Sequence, residues 1–386
     1  MSSSSSCAKP EFENGQIVSG FEVVRKLGSG GFGAVYLVQR DGVEWAMKTE
    51  FGDEDETLRN EVHTLRMMQW SPAFCRLHTA KRLKWKDMTI NMMVMSLCIR
   101  PLSRLRHMMP RNRFSKSTAA RLSLQLLKAI HDLHSSGLLH RDVKLSNCGW
   151  HEPTRRILLF DLGFCRKFLE IDPETQKMRH RIARKKAGFM GTSKYCSLFV
   201  HEELEQGRRD DLWAWLYSVS EMFLGSLPWS GEDNSIVVNN MKRKTNRGLF
   251  YKCPREVVPM YEHISQLKYD SRPDYDLLLN LFNQMYVRLD IDESDPLDFE
   301  PGSVYFEKHY LDKKTDSEIE LERGTTTGTS GDTVDRSAVG SMPELVSSTS
   351  ASTASSPNPM ERIAAGFNRA INHLIGGSGR NEHSTA

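Results

Sequence analysis

The octapeptide His140-Arg141-Asp142-Val143-Lys144-Leu145-Ser146-Asn147 constrains this 386-residue chain more than any other stretch, because of what flanks it. Before it, Leu122, Leu126, Leu127, Ile130 and Leu133 recur at helical spacing over residues 117–136, and Gly137 stands where a helix ends in a left-handed residue. After it, Ile157-Leu158-Leu159-Phe160 reads as a short buried strand that delivers Asp161-Leu162-Gly163. The region thus reads as a polar loop after a helix, followed by a strand with a carboxylate at its end. Asp142, Lys144 and Asn147 then supply a carboxylate, a cation and an amide, and Asp161 adds a second carboxylate.

Phosphoryl transfer calls for such a set: a carboxylate to accept the proton of the attacking hydroxyl, a cation for the moving γ-phosphoryl, and oxygen ligands for a metal. Eight residues can match by accident, so the reading depends on whether other parts recur in order. Residues 21–27 alternate as a strand and run into Gly28-Ser29-Gly30-Gly31-Phe32-Gly33-Ala34-Val35, and residues 36–38 continue as a second strand. The G-x-G-x-x-G spelling also marks dinucleotide sites, but there the glycines join a strand to a helix. The β-branched and aromatic run after Gly33 predicts a hairpin instead, with backbone amides able to approach phosphates closely.

Residues 43–48 read as a third strand with Lys48 at its end. Leu58, Val62, Leu65 and Met68 then recur at helical spacing, carrying Glu61 thirteen residues after Lys48. Taken alone these are a surface lysine and an exposed helical glutamate; taken with the other motifs they suit an ion pair. Residues 91–98 form an apolar run of strand length leading into Arg100-Pro101. Met92 and Met93 suit core filling. Further helices are predicted near 208–224, 236–241, 257–267 and 275–285.

In this order the motifs resemble those of a protein kinase. Gly191-Thr192-Ser193-Lys194-Tyr195-Cys196-Ser197 makes the resemblance more specific, being similar to the G-T-x-R-Y-A-S of the casein kinase 1 superfamily, and no A-P-E segment follows. Arg208-Arg209-Asp210-Asp211-Leu212, Gly225-Ser226-Leu227-Pro228-Trp229 and the stretch 267–275 resemble that family's next landmarks. Asp211-Leu212-Trp213 and Asp295-Pro296-Leu297-Asp298-Phe299 lean toward its tau-tubulin kinase branch. The resemblance covers about residues 15 to 300.

It implies an α+β, two-lobed kinase fold, with a small β-rich lobe, a larger helical lobe and ATP between them. It further implies a Ser/Thr kinase with Asp142 as base, Lys144 on the γ-phosphate, Asn147 and Asp161 on Mg²⁺, Lys48 paired with Glu61, and Thr192 supporting Asp142. Around ATP it sets Gly28, Gly30, Gly31, Gly33, Val35 and Ala46, with Met95 guarding the pocket behind and Leu97 and Cys98 in the hinge. Asp211 is expected to tie its helix to the catalytic-loop backbone. Leu162 replaces the usual phenylalanine, Leu145 a proline and Lys194 an arginine. Protein substrates of acidic or prephosphorylated sequence are expected to be read through Lys194, Lys185 and Lys186. Six cations between Lys177 and Lys186 make that segment either a solvated flexible loop or a docking surface.

Composition bounds the alternatives. No stretch approaches the roughly 18 apolar residues of a membrane span, and the Ser-rich start lacks the pattern of a secretory leader, so a cytoplasmic or nuclear protein is expected. A monomer is expected as well. Seven scattered cysteines without a C-x-x-C pair argue against a disulfide framework or zinc site. A formal charge of +3, with no aromatic residues interleaved in the basic segment, argues against nucleic-acid binding. A scaffold that keeps the fold without turnover is the other alternative, and Lys48, Asp142, Asn147 and Asp161 count against it.

Residues 1–14 are expected to be a mobile arm, 15–312 the kinase domain, 313–359 a disordered Ser/Thr-rich linker and 360–386 a short amphipathic helix and end. The linker reads as a spacer, or as a tail that autophosphorylation turns into an anionic pseudosubstrate.

Overall fold

The computed structural model describes residues 11–29, 33–52, 57–85, 88–98 and 100–310. Gly30 and Gly31, the Ser/Thr-rich linker with its proposed autophosphorylation, and the helix expected near 360–375 lie outside these residues. The small lobe comprises β1 (Ile17–Val18), β2 (Phe21–Ser29), β3 (Gly33–Arg40), β4 (Val43–Phe51), helix α1 (Thr57–Met67), β5 (Leu77–Trp85) and β6 (Met88–Ser96). Its strands form one antiparallel sheet in the order β1-β2-β3-β4-β6-β5.

Alternation along β6 shows how the sheet divides the core. Met92 and Val94 join Tyr36, Val38 and Met47 on the outer face, whereas Met93 and Met95 face the helices. The sequence gives little sign of β5, whose Lys81, Arg82 and Lys84 suit an edge strand, where charge blocks further pairing. Phe12 corrects the expected arm. It is 6% exposed, its ring lies 5.4 Å from that of Tyr36 and 5.3 Å from that of Trp85, and its N–H donates to the Tyr36 hydroxyl at 3.2 Å. Residues 11–14 therefore belong to the lobe.

The large lobe begins with β7 (Arg100–Pro101), α2 (Leu102–Met108), α3 (Lys116–Ser135), β8 (Leu138–Leu139), β9 (Cys148–His151) and β10 (Arg156–Leu159). It continues through β11 (Arg166–Lys167), β12 (Leu169–Ile171), β13 (Met178–His180), α4 (Leu198–His201), α5 (Arg208–Leu224), α6 (Ser235–Phe250), α7 (Val257–Gln266) and α8 (Tyr275–Leu289). The Ser115 hydroxyl accepts from the Thr118 N–H to cap α3, and Gly137 at φ 75° lets the chain turn out of it into the catalytic loop. Helix α5 is buried on all sides from Arg208 to Phe223 and is the axis of the lobe. Trp215 donates its indole N–H to the Ser123 carbonyl at 3.0 Å, locking α5 to α3, and truncating so buried a ring typically costs about 3–5 kcal/mol.

One apolar cluster runs from Leu58, Leu65, Met93 and Met95 through Leu162 into the large lobe. Leu162 thus fills the space between the lobes in place of phenylalanine. Two lobes sharing one core fix the cleft between them.

Candidate active site

The small lobe contributes a cation held by two carboxylates. In the β3–β4–β6 ladder Val35 lies opposite Lys48, and Ala46 opposite Met95, so these four share the sheet that roofs the cleft. Lys48 Nζ lies 2.7 Å from Glu61 Oε2 and 2.9 Å from Asp161 Oδ1. Glu61 is 2% exposed on α1, whose start is tethered where the Leu58 N–H donates to Glu50 at 2.9 Å. Burial by itself would lower the Lys48 pKa, but the Glu61 and Asp161 charges outweigh it and hold it above the ordinary lysine value. Burial likewise pulls Asp161 upward, and Lys48 more than reverses that, leaving Asp161 ionised below the usual carboxylate range.

Beneath this pair lies the loop after α3. Asp142 is buried; its Oδ1 accepts from the Thr192 hydroxyl at 2.7 Å and its Oδ2 lies 2.7 Å from Lys144 Nζ. Lys144 also donates to Thr192 Oγ1 at 2.9 Å, closing a three-residue ring. Asn147 donates its amide to the Asp142 carbonyl at 3.0 Å and to Oδ2 at 3.3 Å, so its own amide oxygen is the atom left to offer a cation. Asp161 takes the left-handed conformation at φ 62°, which aspartate tolerates better than most residues. His140 bridges the two halves, accepting at Nδ1 from the Asp142 N–H (3.2 Å) and donating from Nε2 to the Phe160 carbonyl (3.2 Å).

Thr192 reaches Asp142 because Gly191 sits at φ 112°, with space for no side chain: a Cβ there would lie 2.6 Å from the Arg141 carbonyl oxygen. Arg141 is itself left-handed at φ 69°, a strained state for its type. Asp211, at the head of α5, holds it by accepting the His140 N–H at 2.7 Å and the Arg141 N–H at 2.8 Å.

The basic residues expected to face substrate are differently employed. Lys194 Nζ lies 2.6 Å from Glu221 Oε1, Lys186 lies 3.0 Å from Glu203, and Arg184 pairs with Glu205. Arg179 binds Glu170 and Asp172 across a hairpin of β12 and β13, so part of this stretch is paired strand and part of its charge is already matched. Lys185 is exposed and forms no ion pair among the described residues.

Several contributors escaped the sequence reading. Asn60 donates to the carbonyls of Gly163 (2.8 Å) and Cys165 (2.9 Å), fastening α1 to the segment after Asp161. His134 carries Asp211 from behind, 2.9 Å from its Oδ2, and meets the Tyr275 hydroxyl with its other ring nitrogen. Lys242, fully buried on α6, donates to the Ser193 and Cys196 carbonyls at 2.7 and 2.6 Å. Charged residues amid apolar neighbours, such as Glu221 on α5, were the available signal, since buried charge demands a partner.

A β-rich lobe over a helical lobe, with a lysine–carboxylate cluster facing an Asp–Lys–Asn loop across the cleft, defines a protein kinase. The family model for the protein kinase domain matches residues 21–289. Among the relatives, a probable serine/threonine-protein kinase of Dictyostelium discoideum is 34% identical over 297 residues, covering 75% of this chain and 58% of its own length. The Caenorhabditis elegans serine/threonine-protein kinase spe-6 is 31% identical over 295 residues, 72% of this chain and 75% of its own. A candidate casein kinase I of the same worm is 33% identical over 231 residues, 57% of this chain and 64% of its own. The chain belongs to the protein kinase family, within its serine/threonine division. Among the described residues no helix is long and apolar enough to cross a membrane.

Proposed function

We propose that this chain transfers the γ-phosphoryl of Mg-ATP to serine or threonine hydroxyls of protein substrates. The observation that carries the reading is the ring of Asp142, Lys144 and Thr192 beneath the Lys48–Glu61–Asp161 cluster. Asp142 Oδ1 and Oδ2 are buried and oriented, so a substrate hydroxyl directed at this carboxylate finds a base needing little rearrangement. Lys144, beside it, meets the charge of the transferring group, and Lys48, fixed by two carboxylates, holds the α- and β-phosphates.

Asp161 and the amide oxygen of Asn147 are the groups that would hold Mg²⁺; one carboxylate and one amide suit an ion that takes its other ligands from phosphates and water. Bound there, the ion neutralises charge on the nucleotide. Among the described residues, Leu97 and Cys98 give no backbone group to a partner, which leaves them for the adenine edge. Val35, Ala46 and Met95 supply the apolar walls, with Gly28 and Gly33 flanking the phosphate loop.

The Gly191–Ser197 motif and the likeness to a casein kinase I candidate support membership of the casein kinase 1 superfamily, in a branch like the tau-tubulin kinases. A preference for acidic or phosphorylated sequences rests in this reading on Lys185, because Lys186 and Lys194 already hold carboxylates. Phosphate incorporation from Mg-ATP into a protein acceptor, followed by phosphoamino-acid analysis, tests the proposal: phosphoserine and phosphothreonine are expected, and no incorporation contradicts it.

A further inference from the structure

At the amino-terminal end of α3 lies a groove of about 810 Å³ that the reaction does not use. It opens between the turn at Pro110–Asn112, the start of α3, the end of α5, the segment after α6 and the last turn of α8. Its floor is apolar: Phe114 and Phe223 are buried there, with Leu224 and Cys253 half-buried beside them. Its rim carries Arg111, Arg113, Lys116, Lys252 and Arg255, all exposed. Of these five, only Arg255 meets a carboxylate among the described residues, Glu256 at 3.3 Å, and Glu256 is already held by two bonds from Arg288 at 2.6 and 2.7 Å. Four rim cations with no carboxylate partner among the described residues, set around an apolar floor, suit a partner that is acidic on one side and apolar on the other.

The chain itself carries such a strip at the right place. Tyr305 lines the groove, and the described chain ends at Tyr310. Six residues further on the sequence reads Asp316-Ser317-Glu318-Ile319-Glu320-Leu321-Glu322. In an extended chain successive side chains point to opposite sides, so Glu318, Glu320 and Glu322 fall on one edge and Ile319 and Leu321 on the other. The tether of five residues, 311–315, spans at most about 20 Å from Tyr310 to Asp316, and so short a link holds the strip at roughly millimolar effective concentration.

We propose that residues 316–322 dock in this groove in cis, with Ile319 and Leu321 on the Phe114–Phe223 floor and the glutamates against the basic rim. Helix α3, 20 residues long, separates the groove from the catalytic loop by about 30 Å, so the docked strip leaves Asp142 uncovered. This is an anchor for the chain's extension on the large lobe, distinct from a pseudosubstrate, and it stands whether or not Asp142 turns over.

Cys253, a free thiol in the groove wall, reports occupancy in the full chain. Its alkylation rate by N-ethylmaleimide is measured by mass spectrometry in the wild type and in the combined variant Glu318→Gln, Glu320→Gln, Glu322→Gln, with Cys98 as internal reference. At low salt Cys253 is expected to react several-fold faster in the variant, with Cys98 unchanged. The difference should close near 1 M salt, where the screening length is about 3 Å. Ile319→Ser with Leu321→Ser is expected to expose Cys253 as well. Equal rates at low salt overturn the proposal. So does a common change at both cysteines, or protection that grows with protein concentration and so points to another copy's strip.

Discussion

Lys194 Nζ lies 2.6 Å from Oε1 of Glu221, a carboxylate 1% exposed, and Arg106 reaches the same oxygen at 3.1 Å. Tyr195 donates its hydroxyl to the other oxygen at 2.6 Å. Lys194 is thus one of three donors that make a buried glutamate tolerable, and its charge is matched before any substrate arrives.

Replacing Lys194 by alanine is therefore expected to act on stability first. A charged hydrogen bond withdrawn from a buried carboxylate costs about 1–3 kcal/mol, and turnover of acidic and neutral peptides should fall in parallel. Lys185→Glu is expected to do the reverse, raising KM for acidic peptides while leaving thermal unfolding unchanged. Unfolding curves and peptide kinetics on the two variants check this; a selective loss on acidic peptides in Lys194→Ala at unchanged stability would return the anion-reading role to Lys194.

Thr192 tests the ring around the proposed base. Thr192→Val keeps the shape but removes the donor to Asp142 Oδ1 and the acceptor for Lys144. A hydrogen bond to a charged group is worth about 1.5–3 kcal/mol, so kcat is expected to fall roughly 10- to 100-fold, with KM for ATP little changed. Thr192→Ser, which keeps the hydroxyl, should recover most of the loss. An unchanged kcat in the valine variant would remove Thr192 from the machinery.

Lys242 makes stability depend on alkaline pH. Burial lowers its pKa from 10.5 to about 8. Between those values the unfolded chain holds a proton that the folded chain has released, so raising the pH favours the folded state across the window. Urea midpoints of the wild type and Lys242→Met, compared at pH 7.5 and 9.5, should show the wild type gaining relative to the variant at the higher pH. A constant difference would mean that Lys242 keeps its charge inside the fold.

How far the sequence could be read follows from where the information sits. Lys48, Glu61, Asp142, Asn147 and Asp161 stand at the ends or on the faces of elements with strong local signals, a β-branched run or a helical stripe. Their order along the chain carries the resemblance to protein kinases, and that resemblance implies the two lobes. What the sequence hid depends on partners distant along the chain. Phe12 is a lone aromatic in a polar stretch, and its place is decided by Tyr36 and Trp85. The basic segment reads as either a loop or a docking surface because two of its neutralising residues, Glu203 and Glu205, come some twenty positions later. Lys194 reads as a substrate contact for the same reason, its partner Glu221 lying on α5, beyond α4 in the chain. Strand β5 has no apolar run to announce it, since an edge strand needs few buried residues.

The central claim is that Asp142 serves as the base of a working phosphoryl-transfer site. The most direct test is phosphate transfer from Mg-ATP to an acidic protein such as casein by the full chain and by Asp142→Asn, with nucleotide affinity measured on both. Removing a general base costs about 10²- to 10⁴-fold, so the wild type is expected to turn over and the variant to fall by that factor while still binding ATP. Equal turnover in both, or none in a wild type that binds ATP, would contradict the account.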